Sequence, residues 1–247
     1  MNILETKNLV KRFDGVHAVD HLSLSFEAGK ITGIIGPNGS GKSTLVNLLT
    51  GMISYDNGEV IVLGKTKLFQ IIPHEVSEFG ITRTFQDVRL FEQMTVLDNV
   101  LVVLTERNLF GALFEKHSNF HKTVAEKVLT RVGLWPKKGE LAVNLSYGQR
   151  KLLEIARLLA MAERGANIFF FDEPFAGLFP EMLKLIAEIL KELRTEGKTI
   201  ILIEHNMELI RELSDYVFVL DSGKVLAEGK PEDALKKREV IEAYLGE

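Results

Sequence analysis

Residues Gly36-Pro37-Asn38-Gly39-Ser40-Gly41-Lys42-Ser43 fit the pattern G-x-x-x-x-G-K-[ST], and no other stretch narrows the possible folds of this chain as far. Such a loop works only between a strand and a helix, where successive backbone N–H groups and a helix N-terminus can converge on an anion. Its flanks agree: residues 31–35 are a short β-rich run, and a helical pattern begins at Thr44. In that setting Gly36, Gly39 and Gly41 permit the tight backbone, with Pro37, Asn38 and Ser40 completing the loop. Lys42 would pair with the β- and γ-phosphates of a nucleotide, the Ser43 hydroxyl would hold Mg²⁺, and Thr44 would lie beside the same phosphates. The plain alternative is a glycine-rich turn before a helix, and the flanking pattern argues against it.

The chain has 247 residues, enough to bury a substantial core in one large domain or in a domain carrying a subdomain. A formal net charge of −4 supplies no overall basic field, so no nucleic-acid partner is expected. The absence of cysteine removes disulfides, thiolate catalysis and cysteine-ligated metals, and with no apparent signal peptide an intracellular location is the default. No run approaches the eighteen or so apolar residues of a membrane span, so any membrane role is peripheral.

Short strands are expected at 4–9, 22–26, 31–35 and 60–63, separated by the turn signals Asp14-Gly15, Ala28-Gly29 and Asn57-Gly58. From 96 to 132 the pattern becomes helical, with Val124, Val128 and Val132 four residues apart, and Gly133, Pro136 and Gly139 close it off. A mostly helical insert therefore lies between Gln86 and Leu145. It contains Leu109-Phe110-Gly111-Ala112-Leu113-Phe114 and Phe120, more apolar material than a short connector should expose. After Ser146 the order is helix, strand 168–171, helix 180–194, strand 199–203, helix, strand 217–220. That alternation implies an α/β fold with a mainly parallel sheet.

Two further stretches carry chemistry. Ile168-Phe169-Phe170-Phe171-Asp172-Glu173 is an apolar run ending in two carboxylates, the form of a buried strand that delivers charge to its C-terminal edge. With a phosphate loop upstream, Asp172 suits Mg²⁺ and Glu173 suits the water that attacks a γ-phosphate. Leu145-Ser146-Tyr147-Gly148-Gln149 opens an amphipathic helix, and Ser146 with Gln149 forms an S-x-x-Q capping box that would start it regardless of any ligand. The same start, with Gly148 in its first turn, leaves N–H donors open to an anion.

Taken in order, the phosphate loop, Gln86, the 145–149 signature, Asp172-Glu173 and His205 after the run 199–203 resemble the ATP-binding subunit of an ATP-binding-cassette transporter over essentially the full length. The resemblance implies a P-loop NTPase core of ABC type: one domain over 1–247, with 1–86 and 146–247 as the nucleotide-binding core and 87–145 as the helical subdomain. An antiparallel β layer would precede the parallel sheet. It also implies ATP and Mg²⁺, and a second cassette, identical or homologous, whose signature faces this chain's phosphate loop. By position Phe13 would stack on adenine, Tyr147 and its neighbours in the signature would meet the other subunit's ATP, Gln86 would sense Mg²⁺ and the attacking water, and His205 would contact the γ-phosphate. Where Asp commonly follows the catalytic Glu loop, this chain reads Ala176-Gly177-Leu178-Phe179-Pro180, so signalling across the dimer is expected to differ at Phe179.

Three stretches are similar to the branched-chain amino-acid importer branch of that family: Gly80-Ile81-Thr82-Arg83-Thr84-Phe85-Gln86, Arg89-Leu90-Phe91-Glu92-Gln93-Met94-Thr95-Val96, and Ala243-Tyr244-Leu245-Gly246-Glu247. That likeness implies transmembrane permease partners, a solute-binding protein acting indirectly, and a place on the cytoplasmic face of the cell membrane. A lipopolysaccharide-export ATPase is the alternative within transport. A soluble cassette of iron–sulfur assembly is the alternative outside it.

Overall fold

The computed structural model describes residues 1–64, 66–68, 76, 78–105 and 119–245. They group into two compact units, one formed by Met1–Arg83, Asn167–Glu173 and Ile186–Glu247, the other by Thr84–Ala166 and Pro174–Leu185.

The first unit begins with an antiparallel layer. Strand β1 (Asn2–Phe13) turns through Asp14 and Gly15, both at positive φ (46° and 85°), into β2 (Val16–Leu22), so Phe13 pairs with Val16. This two-residue turn matches the twist of the strands it joins. Residues 22–26, expected as one strand, divide instead between β2 and β3 (Ser25–Glu27), because the two pair with different parts of β1. Thr6 holds the division: its hydroxyl donates to Leu22 O (3.0 Å) and accepts from Leu24 N (2.9 Å). Strands β5 (Asn57–Val62) and β6 (Thr66–Leu68) extend the layer, and Leu63 leaves it at φ 54°.

The second sheet of this unit contains β4 (Ile31–Ile35), β7 (Ile81–Arg83), β8 (Ile168–Asp172), β9 (Thr199–Ile203), β10 (Tyr216–Asp221) and β11 (Lys224–Gly229) in the order β11-β10-β4-β9-β8-β7. Every pairing is parallel except β10 with β11. Every residue of β4, β8 and β9 is buried, which is why those segments read as unbroken apolar runs rather than alternating ones. Helix α1 (Lys42–Leu49) follows β4, and its Leu45, Val46, Leu48 and Leu49 join Phe26, Ile34, Phe170 and Leu220 in one apolar core.

The second unit is helical. Its α2 (Val96–Leu104), α3 (Asn119–Arg131) and α4 (Tyr147–Glu163) pack together through Val96, Val100, Val124, Val128, Leu152 and Ile155. Thr95 caps α2 by accepting Asp98 N–H (3.1 Å), and Gly133 at φ 73° ends the α3 turn. The unit reaches beyond residues 87–145 because α4 packs on α2 and α3. Residues 109–114 lie outside the described residues, while Phe120 is exposed. Helices α5 (Pro180–Thr195), α6 (Met207–Leu213), α7 (Pro231–Ala234) and α8 (Arg238–Leu245) complete the chain. No helix among the described residues is long and apolar enough to cross a membrane.

Candidate functional site

Parallel pairing puts β4, β9 and β8 side by side, so the segments leaving their C-terminal ends emerge along one edge of the sheet. Those segments are the phosphate loop, Glu204-His205, and Asp172-Glu173. Each was read separately from the sequence, and the register of three strands assembles them, as open parallel sheets assemble ligand sites.

Within the loop, Lys42 folds back over its own backbone: Nζ donates to Gly36 O (2.7 Å), Pro37 O (2.8 Å) and Ser40 Oγ (3.3 Å). The side chain is 6% exposed, so its charge is held by oxygens of the loop rather than by bulk water. A Cβ at Gly36 would lie 2.1 Å from Leu220 O, and one at Gly41 2.3 Å from Ala18 O, both backbone atoms that cannot yield cheaply. Gly41 (φ 100°) is also the N-cap of α1 and provides no capping side chain, so N–H groups of the first turn stay available to an anion. Asn38, Gly39 and Ser43 are exposed, Thr44 is half-buried, and Pro37 and Ser40 are buried beneath them.

At the end of β8 the two carboxylates are held differently. Asp172, 4% exposed, accepts from Arg83 Nη2 at 3.2 Å. Arg83 is itself fixed by Asn47 Oδ1 (2.7 Å) and Thr50 Oγ1 (3.0 Å) on and beside α1. Glu173 takes φ 49°, a left-handed conformation that costs a non-glycine residue on the order of 1–3 kcal/mol and tends to occur at functional sites. Its N–H donates to Ile203 O (3.0 Å), and Oε1 lies 2.9 Å from His205 Nε2. The next residue carries a buried acid of its own, since Glu204 Oε2 accepts His205 N–H at 3.1 Å. Sequence reading assigned no role to Arg83 or Glu204. A basic residue ending the short run 81–83 was the available signal for Arg83, but its partner depends on strand register.

Phe13 ends β1 in the same unit and is 46% exposed, with Lys11 Nζ 5.3 Å from its ring centroid. Its hairpin partner strand reaches the phosphate loop through Ala18, the atom that a Gly41 side chain would strike. The oxygen donors Ser43 and Asp172 suit a hard cation such as Mg²⁺. Among the described residues no group of three or more His, Asp or Glu could hold a metal ion.

The remaining residues singled out from sequence belong to the second unit. Gln86 is exposed. At the start of α4 both halves of the capping box form: Gln149 N–H donates to Ser146 Oγ (3.3 Å), and Ser146 N–H to Gln149 Oε1 (3.1 Å). Ser146 and Tyr147 are exposed and Gly148 half-exposed. Gly148 has a packing reason: a Cβ there would lie 2.5 Å from Met182 Sδ. Phe179 is 73% exposed.

Comparison with known proteins identifies the family and the fold. Residues 19–176 match the family model described as ABC transporter. The chain is 37% identical, over 100% of its own length and 96% of the relative's, to the probable branched-chain amino acid transport ATP-binding protein LivG of Archaeoglobus fulgidus. Its fold is similar to the crystal structure of the ADP conformation of an ATP-binding cassette of an ABC transporter (TM-score 0.86, 34% identity, 100% of both chains). A dimeric cassette in a post-hydrolysis state, bound to ADP and Pi, is similar at TM-score 0.80 and 25% identity, covering 93% of this chain and 99% of that one.

Proposed function

The chain belongs to the ABC transporter family as one of its ATP-binding, ATP-hydrolysing cassettes, and from that premise we propose that it powers branched-chain amino-acid import by closing with a second cassette over two ATP molecules. The observation that carries the chemistry is the Glu173–His205 contact of 2.9 Å, formed at the same sheet edge as the Lys42 loop.

Lys42 would exchange the neutral carbonyls of Gly36 and Pro37 for β- and γ-phosphate oxygens, because hydrogen bonds between charged partners are about twice as strong. The N–H groups of the loop and of the α1 start would cradle the same phosphates. Ser43 and Asp172 would hold Mg²⁺ and Gln86 would sense it, the ion supplying positive charge for phosphoryl transfer. Arg83 keeps the Asp172 carboxylate aimed for that task. Glu173 would take the proton of the attacking water, with Gln86 orienting that water and His205 contacting the γ-phosphate. Phe13 would stack on adenine. Residues 146–149 would meet the other cassette's ATP, and Phe179 would alter how the two sites signal.

Permease docking is supported by a cluster of exposed apolar side chains in the second unit, Phe91, Met94, Leu141 and Val143. Backbone bonds from Ala142 N to Met94 O (3.0 Å) and from Val143 N to Glu92 O (3.1 Å) keep the two stretches together. Docked there, the chain would sit at the cytoplasmic face of the membrane, and a solute-binding protein would act on it only through the permeases. The cargo reading is supported by the name of the Archaeoglobus relative and by residues 80–86 and 89–96.

The test is reconstitution with branched-chain amino-acid permeases and their solute-binding protein. Phosphate release should rise with leucine, isoleucine or valine on the binding-protein side. Release that ignores all three while responding to another solute would overturn the cargo and leave the ATPase.

A further inference from the structure

Helix α4 carries, one turn apart, three charged side chains that all reach the same stretch of chain: Arg150, Glu154 and Arg157. Glu154 Oε1 accepts Phe85 N–H at 3.1 Å. Arg157 Nη1 donates to Arg89 O. Arg150 Nη1 reaches Glu92 Oε1 at 3.2 Å. Two stacked contacts add to these, Arg89 over the Phe85 ring (4.2 Å) and Arg157 over the Phe91 ring (5.4 Å). The segment pinned at all these points is 85–92, and Gln86 is the residue next to the first pin. Gln86 itself is exposed, so its side chain remains available while its backbone is anchored.

We propose that Glu154 is the positioning residue for Gln86: its carboxylate holds Phe85 N–H on one side of Gln86 while the neighbouring Arg157 holds Arg89 O on the other, and together they tie the Gln86 loop to the helix that begins at the Ser146 signature. The inference rests on the ATPase reading above and adds to it a physical link, within one unit, between the group that orients water for this chain's ATP and the helix start that meets the partner's ATP. Glu154 is only 6% exposed. Burial pushes its carboxyl up to about 7, outweighing the Phe85 and Arg89 N–H groups and the cations of Arg157 and Lys151. A buried carboxylate whose charge is disfavoured is a poor device for stability alone, since an apolar side chain of similar size is often as good or better. Its use as the acceptor that holds Phe85 N–H beside Gln86 accounts for it.

Two substitutions separate positioning from packing. Glu154→Gln keeps the length and one acceptor oxygen, whereas Glu154→Met keeps the length and removes the acceptor. In the full chain, Met should lower the kcat of phosphate release by about tenfold or more, the scale expected when a reacting group is misplaced by a fraction of an ångström to an ångström. The KM and the affinity for a fluorescent ATP analogue should stay within about twofold, because the Lys42 loop is untouched. Hydrogen exchange at the amides of 85–89 should accelerate in the Met variant and remain near wild type in the Gln variant, which should also recover most of the lost kcat. Arg157→Met, removing the Arg89 clamp, should repeat the pattern if Glu154→Met proves too unstable to measure. Unchanged kcat in Glu154→Met, or lowered kcat with unaltered exchange across 85–92, would overturn the proposal. Exchange is read without turnover, so a wild-type chain that releases no phosphate would count against the ATPase reading and leave the anchoring of Gln86 to be decided by exchange alone.

Discussion

Both the phosphate loop and the start of α4 are polar turns leading into a helix, and both offer N–H groups to an anion. In the first, Lys42 and Asp172 are 6% and 4% exposed, each already engaged by groups of its own unit: loop carbonyls for the ammonium, Arg83 for the carboxylate. In the second, Ser146 and Tyr147 are exposed, and the only partner of the Ser146 hydroxyl in the capping box is the Gln149 N–H of its own helix. A side chain buried among fixed partners is set before any ligand arrives, whereas an exposed cap can take its final partner from outside. The contrast suits a cassette in which one half-site is built by the chain and the other half is shown to a second chain.

The largest effect should come from the preset half. Glu173→Gln keeps the shape and the His205 contact while losing the charge, so phosphate release should fall by about 10²–10⁴-fold with nucleotide binding retained. Light scattering should then show an ATP-stabilised dimer, and wild-type turnover in that variant would remove Glu173 from its role.

Glycine substitutions compare the two turns directly. In Gly41→Ala the new Cβ meets a backbone oxygen at 2.3 Å and must adopt φ 100°, so a loss of roughly 3 kcal/mol or more is expected from strain and overpacking together. Gly148→Ala meets the movable end of Met182 and should cost about 1 kcal/mol or less by thermal unfolding. Equal costs would mean that the phosphate loop is no more rigid than the α4 start.

Buried acids give a third comparison, one with a definite pH signature. Glu154 is raised from 4.5 to about 7 by burial, so it is neutral in both folded and unfolded states below pH 4.5 and charged in both above pH 7. Between those limits the unfolded chain loses the proton first, and stability falls as pH rises, by roughly 3 kcal/mol at most. Denaturant midpoints of Glu154→Gln should lack this component. A wild type and variant with parallel profiles from pH 4.5 to 7 would show that Glu154 titrates normally.

In the open half the expected loss of stability is smaller than that of the buried acid. Ser146→Ala should cost about 0.5–2 kcal/mol as a lost cap. If the hydroxyl also meets the partner's γ-phosphate, the variant should bind ATP through its own Lys42 yet fail to dimerise. Dimerisation at the wild-type ATP concentration, with only a lowered Tm, would leave the capping role alone.

Much of this could be read without coordinates because the informative groups are neighbours along the chain. Residues 36–44 carry strand end, loop and helix start within one contiguous stretch, the capping box spans four residues, and the buried strands β4, β8 and β9 declare themselves by unbroken apolar runs. The 22–26 run misled because Thr6, sixteen residues from Leu22, splits it with hydrogen bonds that no local propensity records.

The phosphate loop, the carboxylate pair and the signature are legible in the chain alone, since each is a local arrangement whose chemistry follows from residue type and spacing. Folding alone brings Arg83 to Asp172, 89 residues away, and Glu154 to the amide of Phe85, 69 residues away. Those contacts depend on which strands lie side by side and which helix face meets which loop. Both are set by burying apolar surface elsewhere in the molecule, so nothing in the immediate neighbourhood of Arg83 or Glu154 announces them.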